Sequence, residues 1–206
     1  MSLIEQLPEV AGRLTENRAM KSLSWLRVGG PAEVLFVPAD QDDLARFMNA
    51  LPPDIPVLPI GVCSNLIIRD GGIKGVVVRL GPAFSGFEVL PGGELRVGAS
   101  ALDAQVAKKA AAKGFDLAFL RTIPGSLGGA VKMNAGCYGS YMADVFVSAT
   151  AVTRSGEVVI LDSGDMEFAY RHSAVPDDTT IVEVVLRAPK GNPAEIETKM
   201  EAALAS

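Results

Sequence analysis

One histidine and two cysteines are all that 206 residues supply. No clustered Cys/His spacing exists, so a structural zinc site lacks a ligand set and no metal is expected. Two thiols give no disulfide framework, which makes the cytoplasm the expected compartment. Positive charge is short as well, with 19 Lys and Arg against 24 Asp and Glu. A net charge of −5 argues against electrostatic capture of nucleic acid. Any phosphate ligand must then be held mainly by oriented backbone dipoles. No apolar run approaches the roughly 18 residues that cross a bilayer, so no membrane partner is expected. The start, Met1-Ser2-Leu3-Ile4-Glu5, lacks the basic and apolar regions of a signal peptide. Two common nucleotide motifs are missing too. No Gly-Lys-Ser/Thr triplet occurs, and no G-x-G-x-x-G links a strand to a helix.

Glycine is what the chain has. With 49% hydrophobic and 21% charged residues the composition is that of a globular protein of one or two domains. Within it lie two stretches almost bare of side chains. Gly61-Val62-Cys63-Ser64-Asn65 follows the apolar run Ile55–Ile60, and Ile123-Pro124-Gly125-Ser126-Leu127-Gly128-Gly129-Ala130 runs on to Met133-Asn134-Ala135-Gly136-Cys137-Tyr138-Gly139. Such stretches expose backbone N–H groups that can converge on one anion. A single one reads more simply as a tight structural turn. Two, each after an apolar element, point to a pyrophosphate gripped from both sides, hence to a dinucleotide held outside the two common folds.

The remaining pattern mixes short strands with a few helices, an α+β arrangement changing rhythm near residues 80 to 85. Residues 2 to 20 read as a helical lead-in interrupted by Pro8. Strands are expected at Glu33–Val37, Val57–Ile60, Leu66–Ile68 and Val76–Val78. Asp40 is placed to cap a helix carrying Leu44, Phe47 and Met48 on one face. After 81 come short strands at 86–90 and 94–97, then a helix capped by Ser100 with Asp103 at its third position. A hairpin follows over 145–161, a strand at 181–186 and a last helix opened by Asn192-Pro193.

Four segments resemble a known family. They are Leu26-Arg27-Val28-Gly29-Gly30-Pro31-Ala32, Pro59-Ile60-Gly61-Val62-Cys63-Ser64-Asn65-Leu66, the second glycine stretch with its continuation to Gly139, and Phe168-Ala169-Tyr170-Arg171-His172-Ser173. Their order and spacing are similar to those of UDP-N-acetylenolpyruvoylglucosamine reductases along nearly the whole chain. The resemblance implies an α+β, two-subdomain FAD-binding fold of the vanillyl-alcohol oxidase (PCMH) type. It divides the chain into a lead-in at 1–20, flavin-binding subdomains at 21–82 and 83–190, and a helix at 191–206 leading to a substrate domain absent here.

The resemblance also implies roles. Ile60, Gly61, Val62, Cys63, Ser64 and Asn65 would wrap the FAD pyrophosphate. Ile123, Pro124, Gly125, Ser126, Gly128, Gly129 and Asn134 would approach the flavin. Arg171 aligns with an active-site arginine, a permanent cation beside a substrate carboxylate and an electron-rich intermediate. NADPH would reduce FAD, and reduced flavin would pass hydride to a UDP-sugar enolpyruvate. The implied pathway is peptidoglycan precursor synthesis; no oligomeric state is implied.

Two departures accompany the likeness. The family's proton-donating serine and assisting glutamate have no matching position, so a fragment with little or no turnover is expected. Cys63 stands where glycine is usual and, if its φ is positive, should carry strain on the order of 1–2 kcal/mol. Two other readings stay open: a different flavin oxidoreductase of the same fold, or a nucleotide-binding module without chemistry.

Overall fold

The computed structural model describes residues 2–205. Its strands are β1 (Arg13–Ala19), β2 (Pro31–Val37), β3 (Val57–Ile60), β4 (Ile73–Arg79), β5 (Phe87–Val89), β6 (Leu95–Gly98), β7 (Gly136–Cys137), β8 (Ser140–Tyr141), β9 (Phe146–Val152), β10 (Val158–Asp162) and β11 (Thr180–Leu186). The α-helices are α1 (Gln41–Ala50), α2 (Asp103–Ala111), α3 (Leu127–Lys132), α4 (Met142–Val145), α5 (Ser163–Met166) and α6 (Pro193–Ala205).

Two sheets organise these elements. The first has the order β1-β2-β4-β3 and the second the order β10-β9-β11-β6-β5. β2 and β3 both pair in parallel with β4, and α1 is the crossover between them. Central β4 carries Val76-Val77-Val78, all buried, as expected of a strand covered on both faces. In the second sheet every pairing is antiparallel. The larger core lies there: Leu95, Val97, Ala149, Ala151, Val184 and Leu186 from the strands meet Val106, Ala107 and Ala110 of α2 and Leu127 and Val131 of α3. Ile196 and Met200 dock α6 on this core.

α1 joins the sheets. Its Leu44, Phe47 and Met48 pack with Phe36, Val76 and Val78 of the first sheet and with Val152 and Val182 of the second. Phe36 and Phe47 stack with ring centroids 4.2 Å apart. The Asp40 side chain accepts from Asp43 N–H, the cap read in the sequence. Asp43 itself accepts from the backbone N–H groups of Ala11 (2.8 Å), Gly12 (2.9 Å) and Ala39 (3.0 Å), pinning the N-terminal segment to the helix start. Burial alone would raise its pKa. The three N–H donors and Arg46 outweigh that and hold it below the usual value.

Three local expectations are corrected. Residues 13–19 form a strand, not part of a helical lead-in; only Ile4–Gln6 make a short helical turn. The segment Arg-Leu-Thr-Glu-Asn-Arg-Ala has no apolar helical stripe, and antiparallel pairing with β2, Arg13 opposite Val37, decides its form. Leu66–Ile68 is irregular and pairs with no strand; the next residue ties the segment to the Gly29–Pro31 turn, Gly30 N–H donating to Arg69 O at 3.0 Å. The Ser100 hydroxyl does not cap α2. It donates to Gly81 O at 2.8 Å, the helix begins at Asp103, and Leu102 takes the cap position.

At the far end of α1 the last carbonyls have no helical partner. Arg154, on the β9–β10 turn, reaches one of them and the loop that follows: its guanidinium donates to Met48 O and Leu51 O at 3.4 Å, Pro52 O at 2.5 Å and Ile55 O at 3.2 Å. Gly156 on the same turn must be glycine, since φ is +82° and a Cβ would collide with Ala45 O. Arg154→Met keeps the apolar stem and leaves those acceptors bare. It should cost about 2 kcal/mol, read as a fall of about 4–8 °C in melting temperature. An unchanged melting curve would remove Arg154 as the tie between the sheets.

Candidate functional site

Between the two sheets lies a cavity of about 750 Å³. One wall is the end of β3 and its exit, Leu58 to Val62, with Arg79 to Pro82 beyond β4. The other is Ala99 and Ser100, then Ser126, Gly128 and Gly129 at the start of α3, then Thr180 and Ile181 of β11. Both bare-backbone stretches of the sequence therefore front one space.

They also touch. A Cβ at Gly61 would collide with the Ser126 hydroxyl oxygen and meet no other heavy atom at such close range, so the glycine leaves room for the hydroxyl as it stands. A Cβ at Gly128 would lie 2.9 Å from the Ala99 Cβ, so this glycine allows α3 to lie on the Ala99 segment. Gly129 differs. It sits inside α3, needs no positive φ, and a Cβ there would meet nothing within 4 Å. A glycine inside a helix costs about 0.5–1 kcal/mol relative to alanine. No described residue demands it, and it faces the cavity.

The cavity carries groups that suit an anionic, partly polar ligand. Arg13 and Arg79 are on its lining. Lys132 lines it too, but pairs with Asp177 at 3.0 Å and donates to Val175 O. Thr180 Oγ1 is buried at this wall without a hydrogen-bond partner among the described residues. A buried polar atom of that kind is expected to meet a ligand or water.

The sequence-expected residues divide. Ile60, Gly61, Val62, Ser126, Gly128 and Gly129 line the cavity; Cys63, Ser64, Asn65, Ile123, Pro124, Gly125, Asn134 and Arg171 are outside the lining. Cys63 is buried with φ +54°, the left-handed region that disfavours a side chain. Its carbonyl accepts from Trp25 N–H at 3.3 Å. Burial pushes its thiol pKa up, against an opposing pull from Arg79. Ile123 packs on the larger core and Pro124 is exposed. Asn134 is buried, and its amide ties two loops: Nδ2 donates to Ala169 O at 2.9 Å, and Oδ1 accepts from Ala143 N–H at 3.0 Å. Arg171 is exposed, with φ +54°; its guanidinium lies over the Tyr170 ring at 5.4 Å and donates to Gly136 O at 3.2 Å. The sequence reading missed Arg13 and Arg79 and took Ser100 for a helix cap. Arg13 was hidden by the mistaken helix; Arg79 sits at a strand end with no motif around it.

Residues 32–162 match the family model described as FAD binding domain. The chain belongs to this FAD-binding family. Among curated relatives, it is 55% identical over 203 residues to a UDP-N-acetylenolpyruvoylglucosamine reductase of Paracoccus denitrificans, covering 98% of this chain and 66% of that one. The same-named protein of Dinoroseobacter shibae is 56% identical over 201 residues, covering 97% and 64%. The chain thus spans about two thirds of the length of these relatives. A crystal structure of UDP-N-acetylenolpyruvylglucosamine reductase from Thermus caldophilus superposes with a TM-score of 0.82 at 29% identity, over 94% of this chain and 69% of that one. Likeness to 6-hydroxy-D-nicotine oxidase of Arthrobacter nicotinovorans, TM-score 0.62 at 18% identity over 87% and 43% of the two chains, concerns the fold alone. The resemblance carried by the four motif segments holds, as does the α+β FAD-binding fold of the vanillyl-alcohol oxidase type.

Within this FAD-binding chain Cys63 combines a left-handed backbone with a buried side chain, directly after the cavity-lining Gly61 and Val62. Cys63→Gly removes strain of about 1 kcal/mol or more. Because the strain is already present in the ligand-free fold, the change should raise the melting temperature of the FAD-free protein by about 2–4 °C. An unchanged or lower melting temperature would show that the strain is absorbed elsewhere.

Proposed function

We infer that the cavity between the sheets holds FAD, and that the chain is the flavin-holding part of a cytoplasmic UDP-N-acetylenolpyruvoylglucosamine reductase using NADPH. The observation that carries the reading is the convergence of both glycine stretches on one cavity. Identity above 50% to two reductases of that name supports the reaction.

The residues present fit the cofactor. Gly61 and Val62 on one side and Ser126 and Gly129 on the other offer backbone N–H groups, those of Leu127 and Gly128 being given to Ala101 O and Ala99 O, where a diphosphate needs donors without bulky side chains. Arg13 and Arg79 supply positive charge that the acidic chain as a whole lacks. Bound there, FAD would accept hydride from NADPH and deliver it to the enolpyruvyl double bond. What the chain contributes is holding and shielding: apolar Leu58, Ile60, Leu80 and Ile181 exclude water from the cavity. Arg171, fixed on Tyr170 and Gly136, is assigned as the cation for the substrate carboxylate. Cys63, Ser64 and Asn65 complete the pyrophosphate loop, and Ile123 to Gly125 with Asn134 shape the flavin side through the backbone they hold in place.

Gly129 separates ligand from fold. Gly129→Ala should raise the melting temperature of the FAD-free protein by about 1–4 °C, because helix propensity improves by up to ~1 kcal/mol. The same change should weaken FAD binding at least tenfold. Improved stability with unchanged FAD affinity would place the cofactor elsewhere. The electron donor is tested separately. Under anaerobic conditions NADPH should bleach the flavin of FAD-loaded protein while small alcohols leave it oxidised. Bleaching by alcohols and not by NADPH would favour an oxidase of the same fold.

A further inference from the structure

Asp103 has no place in the reading above, yet it is the most unusual side chain in the molecule. It is fully buried, and neither carboxyl oxygen has a hydrogen-bond partner among the described residues. It opens α2 directly behind the second glycine stretch. The two segments are zipped together: Asp103 N–H donates to Gly125 O at 3.1 Å, Leu127 N–H to Ala101 O at 2.9 Å and Gly128 N–H to Ala99 O at 2.9 Å, with Leu102 bridged antiparallel to Ser126. The carboxyl is pressed on the turn itself. Oδ2 lies 2.6 Å from where a Cβ on Gly125 would stand. On the other side of the same turn Ser126 meets Gly61. Asp103 thus supports from behind the stretch whose front lines the cavity.

We propose that Asp103 is a positioning residue that holds the Gly125–Ser126 turn in its FAD-binding form through an uncharged carboxyl lodged beneath Gly125. The proposal rests on the FAD reading. Its physical basis is the cost of charge in that pocket. An ionised carboxylate with no partner would carry a far larger desolvation penalty than the neutral acid. The chain must then move the turn aside to hydrate it, and the turn is one jaw of the cavity.

Burial is the only cause acting on this carboxyl, and it pushes the pKa up to about 8. The charged groups on neighbouring elements make no contribution: Lys108 and Lys109 on α2, Arg121 on the 118–122 turn, Lys132 on α3, and Glu197, Lys199 and Glu201 on α6. For an acid raised in the folded state, folding and turn closure favour the proton-bearing form. The open turn, with its carboxyl hydrated, gives up the proton first, so FAD affinity should fall as pH rises toward about 8 and level off beyond it.

The test is FAD binding to the intact chain, followed by flavin fluorescence from pH 6 to pH 9, for the unmodified protein and for Asp103→Asn. The unmodified protein should lose up to about tenfold in affinity per pH unit between pH 6 and pH 8, the slope of a single linked proton, and little more between pH 8 and pH 9. Asp103→Asn, which cannot ionise, should show a flat profile within about threefold of the unmodified protein at pH 7. A part that merely fills space would lower stability in the variant without changing the shape of the profile. Parallel profiles for the two proteins overturn the proposal. So does a flat profile for the unmodified chain, which decides the matter even if the variant does not fold. If the unmodified protein fails to bind FAD at pH 7, the cofactor reading falls and this role with it; binding without pH dependence removes only the role of Asp103.

Discussion

The structure depends on one close approach, that of the Gly61 backbone to the Ser126 hydroxyl. Each belongs to a different sheet's loops, and the missing side chain at Gly61 leaves room for the hydroxyl in the position it holds. Their contact brings the backbone of Gly61 and Val62 to the same cavity as that of Ser126 and Gly129. An acidic chain has few other means of holding a doubly charged diphosphate. Oriented dipoles supply attraction without the desolvation of a cluster of arginines, and glycine is the residue type that lets them come near enough.

Everything around that contact serves to hold the two sheets at a fixed separation. α1 fills the space beside the cavity with side chains that touch both sheets. Its start is locked by Asp43, which gathers three N–H groups from the N-terminal segment and the β2 exit. Its end is locked by Arg154 from the second sheet. One helix thus carries ties to both halves, and the gap between them is set by covalent geometry and packing before any ligand enters. Pre-formed cavities of this kind spare the ligand much of the ordering cost of binding.

Much of this was legible in the residues, and the parts that were not share a cause. The glycine stretches, the Asp40 cap, the hairpin around Arg154-Ser155-Gly156 and the Asn192-Pro193 helix start are local chemistry, read within a few positions. Asn192 Oδ1 does accept from Ala194 N–H, as a cap should. The failures were set by partners far away in sequence. Arg13–Ala19 is a strand because β2 offers an edge. Ser100 gives its hydroxyl to Gly81, nineteen positions back. Asp103, expected to complete a cap, was left buried without one. Asn134 sits in a glycine-rich motif that suggested a ligand, whereas its amide spans from Ala143 to Ala169. Family resemblance carried the assignment of FAD; physical reading of the residues reached a dinucleotide and stopped there.

The central claim is that one diphosphate is held simultaneously by the loops at Gly61 and at Ser126 to Gly129. A crystal structure of this chain grown with FAD tests it most directly. The account predicts diphosphate density between those two loops, within hydrogen-bond distance of backbone N–H groups on both. Well-ordered FAD contacting only one of the loops, or lying outside the cavity between the sheets, would contradict it.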